Sequence, residues 1–180
     1  MSERIETNRL ILHRLSGEDI DLWLAGDRRS LESRTGARFP GKLEAPPLRI
    51  GDMEALRALL HEHGEDPVWS TWLMLARNNG AAVGIAGFSR IEETVEADYS
   101  VYPALQHIGL ATESLRALIN WLFESAAVTR LRVTIAPDNT ASIRVAEKLG
   151  MELVSTGEDP DAGLVLVFEL VRSDSIERSV

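Results

Sequence analysis

The segment VEADYSVYPALQHIGLATESLRALINWLFESA, residues 95–126, changes its hydrophobic period partway along its length. At its start, apolar and polar residues alternate, as expected for a β-strand with one buried face. From Ala111 onward the apolar residues recur at the spacing of one helix face, at Leu115, Leu118, Ile119, Leu122 and Phe123. The segment therefore predicts a strand and a helix joined through residues 106–111, with Gly109 between them.

This junction has the features of an anion-binding loop. The N–H groups of a first helical turn have no partner within the helix, and the helix dipole places positive charge there. Gly109 has no side chain and Ala111 has only a methyl group, so an anion can approach the backbone closely. The spacing is too short for a dinucleotide-binding fingerprint, and no Gly-Lys-Ser/Thr follows as in a P-loop. The junction indicates a pyrophosphate ligand, or alternatively a glycine that serves packing alone.

The elements around this junction predict one mixed α/β domain spanning residues 1–180. Hydrophobic periodicity gives the order strand, two helices, three strands, helix, strand, helix, two strands. Two apolar runs flank Asn78-Asn79-Gly80, which is a hairpin sequence and makes the front half antiparallel. The later strand–helix–strand units, where Gly150 is expected to end the last helix, require a parallel crossover. The sheet is therefore expected to be mixed.

Two segments show little periodicity. Residues 26–50 contain three Pro and several Arg, and we interpret them as a substrate-side loop with a short helix at residues 28–34. A disordered surface insertion fits the same composition. The polar residues 172–180 are expected to form a frayed tail.

Composition limits the classes of function. The 180 residues carry a net charge of −9, which argues against a broad basic face for nucleic acid. The sequence contains no run of about 18 apolar residues, so no membrane span is predicted. The polar N-terminus does not resemble a signal peptide. The lack of cysteine excludes disulfides and thiolate metal sites and favours a cytoplasmic location. An acidic surface suits a cationic substrate such as an amine, although it also serves solubility alone.

Two motifs in the second half of the chain match the patterns of one protein family. The first pattern is Gln or Arg, two residues, Gly, one residue, and Gly or Ala, represented here by Gln106, Gly109 and Ala111. The second is Asn, two residues, Ser and a helix that ends in Leu-Gly, represented by Asn139, Ser142, Leu149 and Gly150. The chain resembles the GNAT superfamily of acyl-CoA N-acyltransferases over residues 9–170, most closely over residues 94–151. Within this superfamily it is similar to the branch that includes ribosomal-protein N-terminal acetyltransferases.

The resemblance implies a fold and a cosubstrate. A splayed sheet with helices on both faces would open between the strands at residues 95–102 and 130–136. The pantetheine arm of acetyl-CoA, or of another acyl-CoA, would lie in this cleft and form hydrogen bonds like an extra strand. No metal is implied. The coenzyme-binding residues that the resemblance implies are Tyr99, Ser100, Val101, Gln106, His107, Ile108, Gly109, Leu110, Ala111, Thr112, Asn139 and Ser142.

The resemblance also implies direct transfer of an acetyl group to a primary amine within a ternary complex. The acceptor would be a small molecule or a protein N-terminus. Glu96 matches a position where relatives carry a carboxylate and is our first choice for the catalytic base, acting through water. Asp98 lies about 7 Å away on the same strand face and is the alternative base. Both carboxylates could instead be ordinary solvent-facing residues of the strand.

Two departures from the family pattern concern the leaving group and the phosphates. Many relatives have a tyrosine that protonates the departing thiolate near the position of Ala146, so Ser142 is the remaining candidate for the catalytic acid. The loop has His107 and Ile108 where relatives often have another glycine and a basic residue. These departures motivate an alternative function, a non-catalytic acyl-CoA-binding or interaction protein on the same fold. A third interpretation is an unrelated α/β protein in which Gly109 serves packing alone.

Other noticeable residues favour structural roles. His61 and His63 have no evident third metal ligand and are expected at a solvated helix end. The tryptophans could line a pocket, but core packing is the expected role for Trp23, Trp69, Trp72 and Trp121. The sequence leaves open the identity of the amine, the length of the acyl group, and whether the chain is a monomer or a homodimer.

Overall fold

The computed structural model describes residues 4–41, 50–64, 66–91, 94–160 and 163–172. The strands in these residues are β1 (Arg4–Glu6), β2 (Leu10–Arg14), β3 (Ser70–Ala76), β4 (Ala82–Ile91), β5 (Thr94–Val101), β6 (Arg130–Ile135), β7 (Glu152–Asp159) and β8 (Gly163–Val171). The helices are α1 (Gly17–Leu24), α2 (Arg28–Thr35), α3 (Ile50–His63), α4 (Leu110–Ser125) and α5 (Thr140–Lys148). A 3₁₀ turn, Pro103–Leu105, lies between β5 and α4.

The strands form one sheet in the order β1-β2-β3-β4-β5-β6-β8-β7. Strands β5 and β6 pair in parallel, and every other pair of neighbours is antiparallel. Helix α4 supplies the crossover that a parallel pair requires, because it follows β5 and precedes β6 in the chain. The predicted mixed sheet is confirmed, as is the hairpin between β3 and β4.

Helices cover both faces of the sheet. On one face, α4 and α5 pack against the strands, and Leu118, Leu122 and Leu131 are fully buried there. On the other face, α1, α2 and α3 enclose a second core around Trp23 and Leu31. The helical stripe predicted from the α4 sequence is the buried face of that helix. Burial of each such side chain stabilises the fold by roughly 1.5–3 kcal/mol.

Local sequence sets the ends of the helices. Ser16 accepts a hydrogen bond from the Asp19 backbone N–H, and the Asp19 carboxylate accepts one from the Ser16 backbone N–H, which forms a capping box on α1. Gly150 has a φ of 78° just after α5, as its position predicted. Helix α4 begins at Leu110, one residue before the predicted start, because Gly109 occupies the N-cap position.

The structure adds detail in the two regions of weak periodicity. The short helix predicted at residues 28–34 is confirmed as α2. Strand β1 was not predicted, because its three residues are too few to show a period. Residues 42–49 of the predicted substrate-side loop and residues 173–180 of the predicted tail lie outside the described residues. Within the described part of the chain, no helix is long and apolar enough to cross a membrane.

Candidate active site

The sheet opens between β5 and β6. These strands pair only at Val95 with Leu131 and at Glu96 with Arg132. Beyond that point the two strands diverge, while β5 remains paired with β4 as far as Val101. The edge of β5 that faces β6 therefore borders a cleft, as the family resemblance implied.

A groove of about 310 Å³ lies in this cleft, and we call it the cleft groove. It is lined by the end of β5, by most of residues 105–112 and by one face of α5. The residues predicted to bind the coenzyme that line the groove are Tyr99, Ser100, Val101, Gln106, His107, Gly109, Leu110, Ala111, Thr112, Asn139 and Ser142. The remaining predicted residue, Ile108, does not line it and is 56% exposed.

The loop before α4 is shaped by two positions with positive φ. His107 has a φ of 63° and Gly109 a φ of 84°. Glycine suits the second position because it adopts this conformation freely. The side-chain amide of Gln106 donates a hydrogen bond to the Val101 carbonyl at 2.9 Å. Gln106 thus holds the loop against the end of β5.

Arg9, in the turn between β1 and β2, holds the same loop from outside the groove. Its Nη1 donates to the Ile108 carbonyl at 2.8 Å, and its Nε donates to the Glu113 carboxylate at 2.6 Å. That carboxylate also accepts hydrogen bonds from the Thr7 hydroxyl and from the Arg9 backbone N–H, both at 2.7 Å. Burial by itself raises the pKa of the Glu113 carboxyl, but these hydrogen bonds outweigh it and keep the pKa below its usual value. An ionised Glu113 therefore ties the N-terminal turn to the first turn of α4.

Helix α5 forms the opposite wall and carries positive charge. The Asn139 side chain accepts a hydrogen bond from the Ser142 backbone N–H at 3.1 Å, which caps the helix. Arg144 and Lys148, four residues apart on one helix face, both line the cleft groove. Lys148 also borders an adjoining open groove of about 490 Å³, together with Arg116. The loop before α4 has His107 and Ile108 where relatives often have a glycine and a basic residue. Arg144 and Lys148 of α5 provide positive charge on the opposite wall of the groove.

Sequence reasoning missed Arg9, Arg144 and Lys148 as site residues. The spacing of Arg144 and Lys148 places both on the helix face that also carries Ala141, so helical periodicity from Asn139 onward could have indicated them. Nothing in the local sequence could have indicated Arg9, because the loop that it holds lies about 100 residues further along the chain.

Tyr99 brings a buried hydroxyl to the same groove. Its hydroxyl oxygen is inaccessible to solvent and has no hydrogen-bond partner among the described residues. Burial raises the pKa of the Tyr99 phenol, and the neighbouring Ser142 side chain opposes this rise only in part. A protonated phenol therefore lies beside Ser142, the candidate acid. The family resemblance implied Tyr99 as a coenzyme-binding residue and gave its hydroxyl no role.

A second cavity of about 330 Å³ lies between α3 and strands β3, β4 and β5, and we call it the α3 cavity. It shares Tyr99 and Ser100 with the cleft groove, so the two spaces meet along β5. Its lining residues are Met53, Ala55, Leu56, Leu59, Trp69, Thr71, Ile85, Phe88, Ser89, Asp98, Tyr99 and Ser100.

The two candidate bases occupy different positions on β5. Asp98 is exposed and lines the α3 cavity. Glu96 lines neither space, but it is the last residue of β5 that pairs with β6. The Thr134 hydroxyl lies 3.4 Å from each oxygen of the Glu96 carboxylate and can donate to one of them. Glu96 therefore marks the point of divergence, and Asp98 lies two residues beyond it along the open edge.

The remaining candidates have clear positions. Trp23, Trp72 and Trp121 belong to the core as expected, and Trp69, which is partly buried, packs against the core and also lines the α3 cavity. The His63 ring stacks on Trp69, with 4.1 Å between ring centroids and 8° between ring planes. Among the described residues, no group of three or more His, Cys, Asp or Glu side chains is placed to hold a metal ion.

The splayed sheet, the loop and the capped α5 together define an acyltransferase architecture. The model of the family described as the acetyltransferase (GNAT) domain matches residues 9–152. The chain belongs to the GNAT acetyltransferase family and is an acyl-CoA-dependent N-acetyltransferase.

Two curated relatives illustrate the range of the family. An uncharacterized N-acetyltransferase of Bacillus subtilis, YjdG, is 24% identical over 157 residues, which cover 83% of this chain and 89% of the relative. An aminoglycoside N(6')-acetyltransferase type 1 of Klebsiella pneumoniae is 35% identical over 72 residues, which cover 40% of this chain and 36% of the relative.

The fold is also similar to solved structures. The ribosomal-protein-S5-alanine acetyltransferase of Vibrio fischeri superposes with a TM-score of 0.69 at 16% sequence identity, over 96% of this chain and 98% of that chain. At this identity the likeness shows a shared fold, and the prediction of a GNAT fold is confirmed.

Proposed function

We propose that the protein transfers an acetyl group from acetyl-CoA to a primary amine by direct attack within a ternary complex. The observation that carries this proposal is the end of β5–β6 pairing at Glu96 and Arg132, which leaves the edge of β5 open beside the cleft groove. An open strand edge can form hydrogen bonds with the amide groups of the pantetheine arm, as a further strand would. The chain has no cysteine that could form a covalent acyl-enzyme thioester.

The phosphates of the coenzyme are proposed to lie at the loop before α4. Backbone N–H groups at the start of α4 can donate to the pyrophosphate, and Gly109 leaves them accessible. Arg144 and Lys148 supply positive charge from across the groove. The adjoining groove begins at the same glycine and includes Arg116, so it suits the nucleotide end of the coenzyme.

The reaction forms one bond and breaks one bond. The neutral amine nitrogen attacks the carbonyl carbon of the thioester, the C–N bond forms, and the C–S bond breaks to release the CoA thiolate. A backbone N–H on the open edge of β5 would polarise the carbonyl. An α-amine has a pKa near 8 and a lysine-type amine a pKa of about 10.4, so a base matters more for the second class. Glu96, at the point of divergence, is proposed to accept the amine proton through a water molecule.

Ser142 is proposed to donate a proton to the departing thiolate, and Tyr99 is proposed to reprotonate Ser142. Ser142 lines the groove at the start of α5, and the Tyr99 hydroxyl lies close to it. A serine hydroxyl is a weak acid, and a neighbouring phenol, which is more acidic than an aliphatic hydroxyl, can replace the proton that the serine gives up. This pair would take the role that Ala146 cannot fill.

The class of acceptor rests on two kinds of relative. The Klebsiella relative is named for acetylation of an aminoglycoside, and the Vibrio enzyme for acetylation of ribosomal protein S5 at alanine. Both names denote an amine acceptor, which supports a primary amine here as the common chemistry. A small-molecule amine and a protein N-terminus are both compatible with this step.

Calorimetric titration with acetyl-CoA tests the cleft groove first, with free adenosine as the control ligand. We expect saturable binding at one site, much tighter than that of adenosine, because the arm and the phosphates both contribute. If millimolar acetyl-CoA produced no heat of binding, the assignment of the groove would be wrong.

Turnover is then measured by release of the CoA thiol with a thiol-reactive dye, to which the cysteine-free protein adds no background. We expect Glu96→Gln to lower kcat by about 10²–10⁴-fold at neutral pH without changing acetyl-CoA affinity. Glu124→Gln, an exposed change near the end of α4, is the matched control. A rate unaffected by Glu96→Gln would remove this residue from the mechanism. Tight acetyl-CoA binding without turnover of any amine would instead favour a non-catalytic acyl-CoA-binding protein.

A further inference from the structure

The inner part of the α3 cavity is apolar. Among the described lining residues, the buried ones are Met53 and Leu56 of α3 and Phe88 of β4. These side chains belong to the two cores of the protein, so packing fixes their positions. A space of about 330 Å³ with such an inner end suits a compact apolar group, since small-molecule sites begin at about 300 Å³.

The half-buried part of the cavity has an apolar side and a hydroxyl-bearing side. Leu59 of α3 and Trp69, which precedes β3, continue the apolar side. The His63 ring stacks on Trp69 nearly in parallel and holds it in place. On the strand side, Thr71 and Ser89 contribute hydroxyl groups without charge. An apolar chain in this part of the cavity therefore contacts no ionised group of these five residues that line or support it.

The outer end of the cavity is formed by Ala55 and Asp98, which are both exposed. Because Asp98 is exposed, its carboxylate stays hydrated when a group enters further in. Exposure to solvent thus decreases from this end toward the apolar inner end. A charged group at the inner end would lose its hydration against apolar side chains, so the cavity favours an apolar chain.

The α3 cavity is continuous with the proposed coenzyme site. Tyr99 and Ser100 line both the cavity and the cleft groove. They lie on the part of β5 that follows its last pair with β6, which joins Glu96 to Arg132. A pantetheine arm that runs along this open edge from the loop before α4 brings its thioester toward Tyr99. The acyl group is then delivered at the point where the two spaces meet.

The geometry of acyl transfer assigns different spaces to the acyl group and the amine. The carbonyl carbon of a thioester is trigonal, so the acyl chain leaves it in the carbonyl plane, whereas the amine attacks from above or below that plane. Glu96, the proposed base, lines neither space, and its carboxylate oxygens lie 3.4 Å from the Thr134 hydroxyl of β6. An amine whose proton passes to Glu96 approaches from the side of these two residues. The α3 cavity is thereby left to the acyl chain.

We infer that the α3 cavity is an acyl-chain site and that the protein accepts unbranched acyl groups longer than acetyl, such as butyryl and hexanoyl. An acetyl methyl group would fill little of the cavity, whereas a longer chain covers its apolar inner end. The bond changes are those of acetyl transfer, since the C–N bond forms, the C–S bond breaks, Glu96 takes the amine proton and Ser142 protonates the thiolate. The inference rests on the proposed function, because the thioester is what places the chain beside the cavity.

Binding is measured on the intact protein by calorimetry with CoA, acetyl-CoA, butyryl-CoA and hexanoyl-CoA, without any amine. Burial of one methylene group corresponds to a factor of about four in affinity. We therefore expect butyryl-CoA to bind about tenfold or more tightly than acetyl-CoA, and hexanoyl-CoA to bind more tightly again. Binding of butyryl-CoA that is equal to or weaker than that of acetyl-CoA would overturn the inference.

Two variants of α3 locate the chain. Ala55→Phe places a large side chain in the lining, and we expect it to remove most of the preference for hexanoyl-CoA over acetyl-CoA. Its affinity for CoA should stay unchanged, which also shows that the variant is folded. Ala58→Phe makes the same change at an exposed position of α3 outside the lining and is the matched control. A preference that survives Ala55→Phe, or that both variants lose equally, would contradict a chain in this cavity.

Turnover with a peptide that has an N-terminal alanine, with spermidine and with kanamycin separates this inference from the proposed function. If the cavity held an apolar part of the amine, Ala55→Phe would raise the KM for the amine and leave all acyl-CoA affinities unchanged. That result would overturn the inference and leave acetyl transfer in place. A chain-length preference that Ala55→Phe removes, without release of CoA thiol with any of the amines, would overturn the proposed function and leave the acyl-chain site in place. A higher kcat/KM for butyryl-CoA than for acetyl-CoA would support both.

Discussion

The Arg9 guanidinium and the Glu113 carboxylate meet at 2.6 Å, although 104 residues separate them in the chain. The pair connects the turn before β2 to the first turn of α4. Through a second nitrogen, Arg9 also holds the Ile108 carbonyl at 2.8 Å. The backbone of the proposed phosphate loop is therefore fixed by a residue that lies outside the groove, which makes Arg9 a positioning residue.

We expect Arg9→Gln to raise the KM for acetyl-CoA about tenfold and to leave kcat nearly unchanged. The reason is the loss of charge-assisted hydrogen bonds that order the loop, reduced in effect because the Arg9 side chain is 44% exposed. Steady-state kinetics at saturating amine measures the split between KM and kcat. Arg9→Lys should recover part of the affinity, and Arg90→Gln, an exposed change on β4, should have no effect. A lower melting temperature with an unchanged KM would show that Arg9 serves stability alone.

Arg144 and Lys148 should bind the coenzyme phosphates by charge. We expect the double variant Arg144→Gln/Lys148→Gln to weaken acetyl-CoA binding at least about tenfold at low ionic strength. The difference from the unaltered protein should shrink as salt is added, because screening weakens the lost attraction. Calorimetry at two salt concentrations measures this change. The control variant Arg29→Gln/Arg90→Gln removes the same amount of charge from exposed positions outside the cleft groove and the α3 cavity. If it weakened acetyl-CoA binding equally, a local role of Arg144 and Lys148 would be contradicted.

Tyr99 and Tyr102 provide a matched pair for the proposed proton donor. Both hydroxyls are buried without a partner among the described residues, and burial raises the pKa of both phenols. Only Tyr99 lines the cleft groove, whereas Tyr102 belongs to the core beneath α1 and α2. We expect Tyr99→Phe to lower kcat about tenfold or more with acetyl-CoA affinity retained, and Tyr102→Phe to leave kcat unchanged. Equal rates for the two variants would exclude Tyr99 from the proton transfer.

Asp19 predicts an acid dependence of stability. Burial by itself raises the pKa of this carboxyl, but hydrogen bonds with His13, Ser16 and Arg34 outweigh it and hold the pKa well below its usual value. Because the folded-state pKa is depressed, Asp19 stabilises the fold fully above its unfolded value of about 3.9 and loses this effect as pH falls toward the folded-state value. Urea unfolding between about pH 2 and about pH 6, roughly two units on either side of the usual carboxyl pKa near 4, measures the loss.

The variant Asp19→Asn isolates this contribution. We expect it to reduce the free energy of unfolding by about 1.5–3 kcal/mol at neutral pH, because a buried carboxylate that accepts hydrogen bonds from Ser16 and Arg34 is replaced by a neutral amide. Its stability should also fall less than that of the unaltered protein between pH 4 and 2, a window set by the ordinary carboxyl pKa of about 3.9. Parallel pH profiles for the two proteins would assign the acid sensitivity to other carboxylates.

Local sequence patterns predicted the longer helices and strands, the mixed sheet and the loop at Gly109. These features depend on local periodicity and on turn residues, which act over a few neighbouring positions. The spacing of Gln106, Gly109 and Ala111, with that of Asn139 and Ser142, was sufficient to indicate a coenzyme groove, and the structure brings these residues together. Strand β1 was not predicted in this way, because three residues are too few to show a hydrophobic period.

Contacts between distant segments determine which further side chains lie at or near that groove. Arg9 reaches the loop because the turn that precedes β2 lies beside the first turn of α4, an arrangement that no local pattern specifies. The Tyr99 hydroxyl lies close to Ser142, and Asp98 rather than Glu96 lines the α3 cavity. The sheet splays just after Glu96. Strand periodicity places Glu96 and Asp98 on one face, but it contains no information about where pairing with the next strand stops. Local sequence determines where helices, strands and turns form. Contacts between distant segments determine which side chains come together at the site.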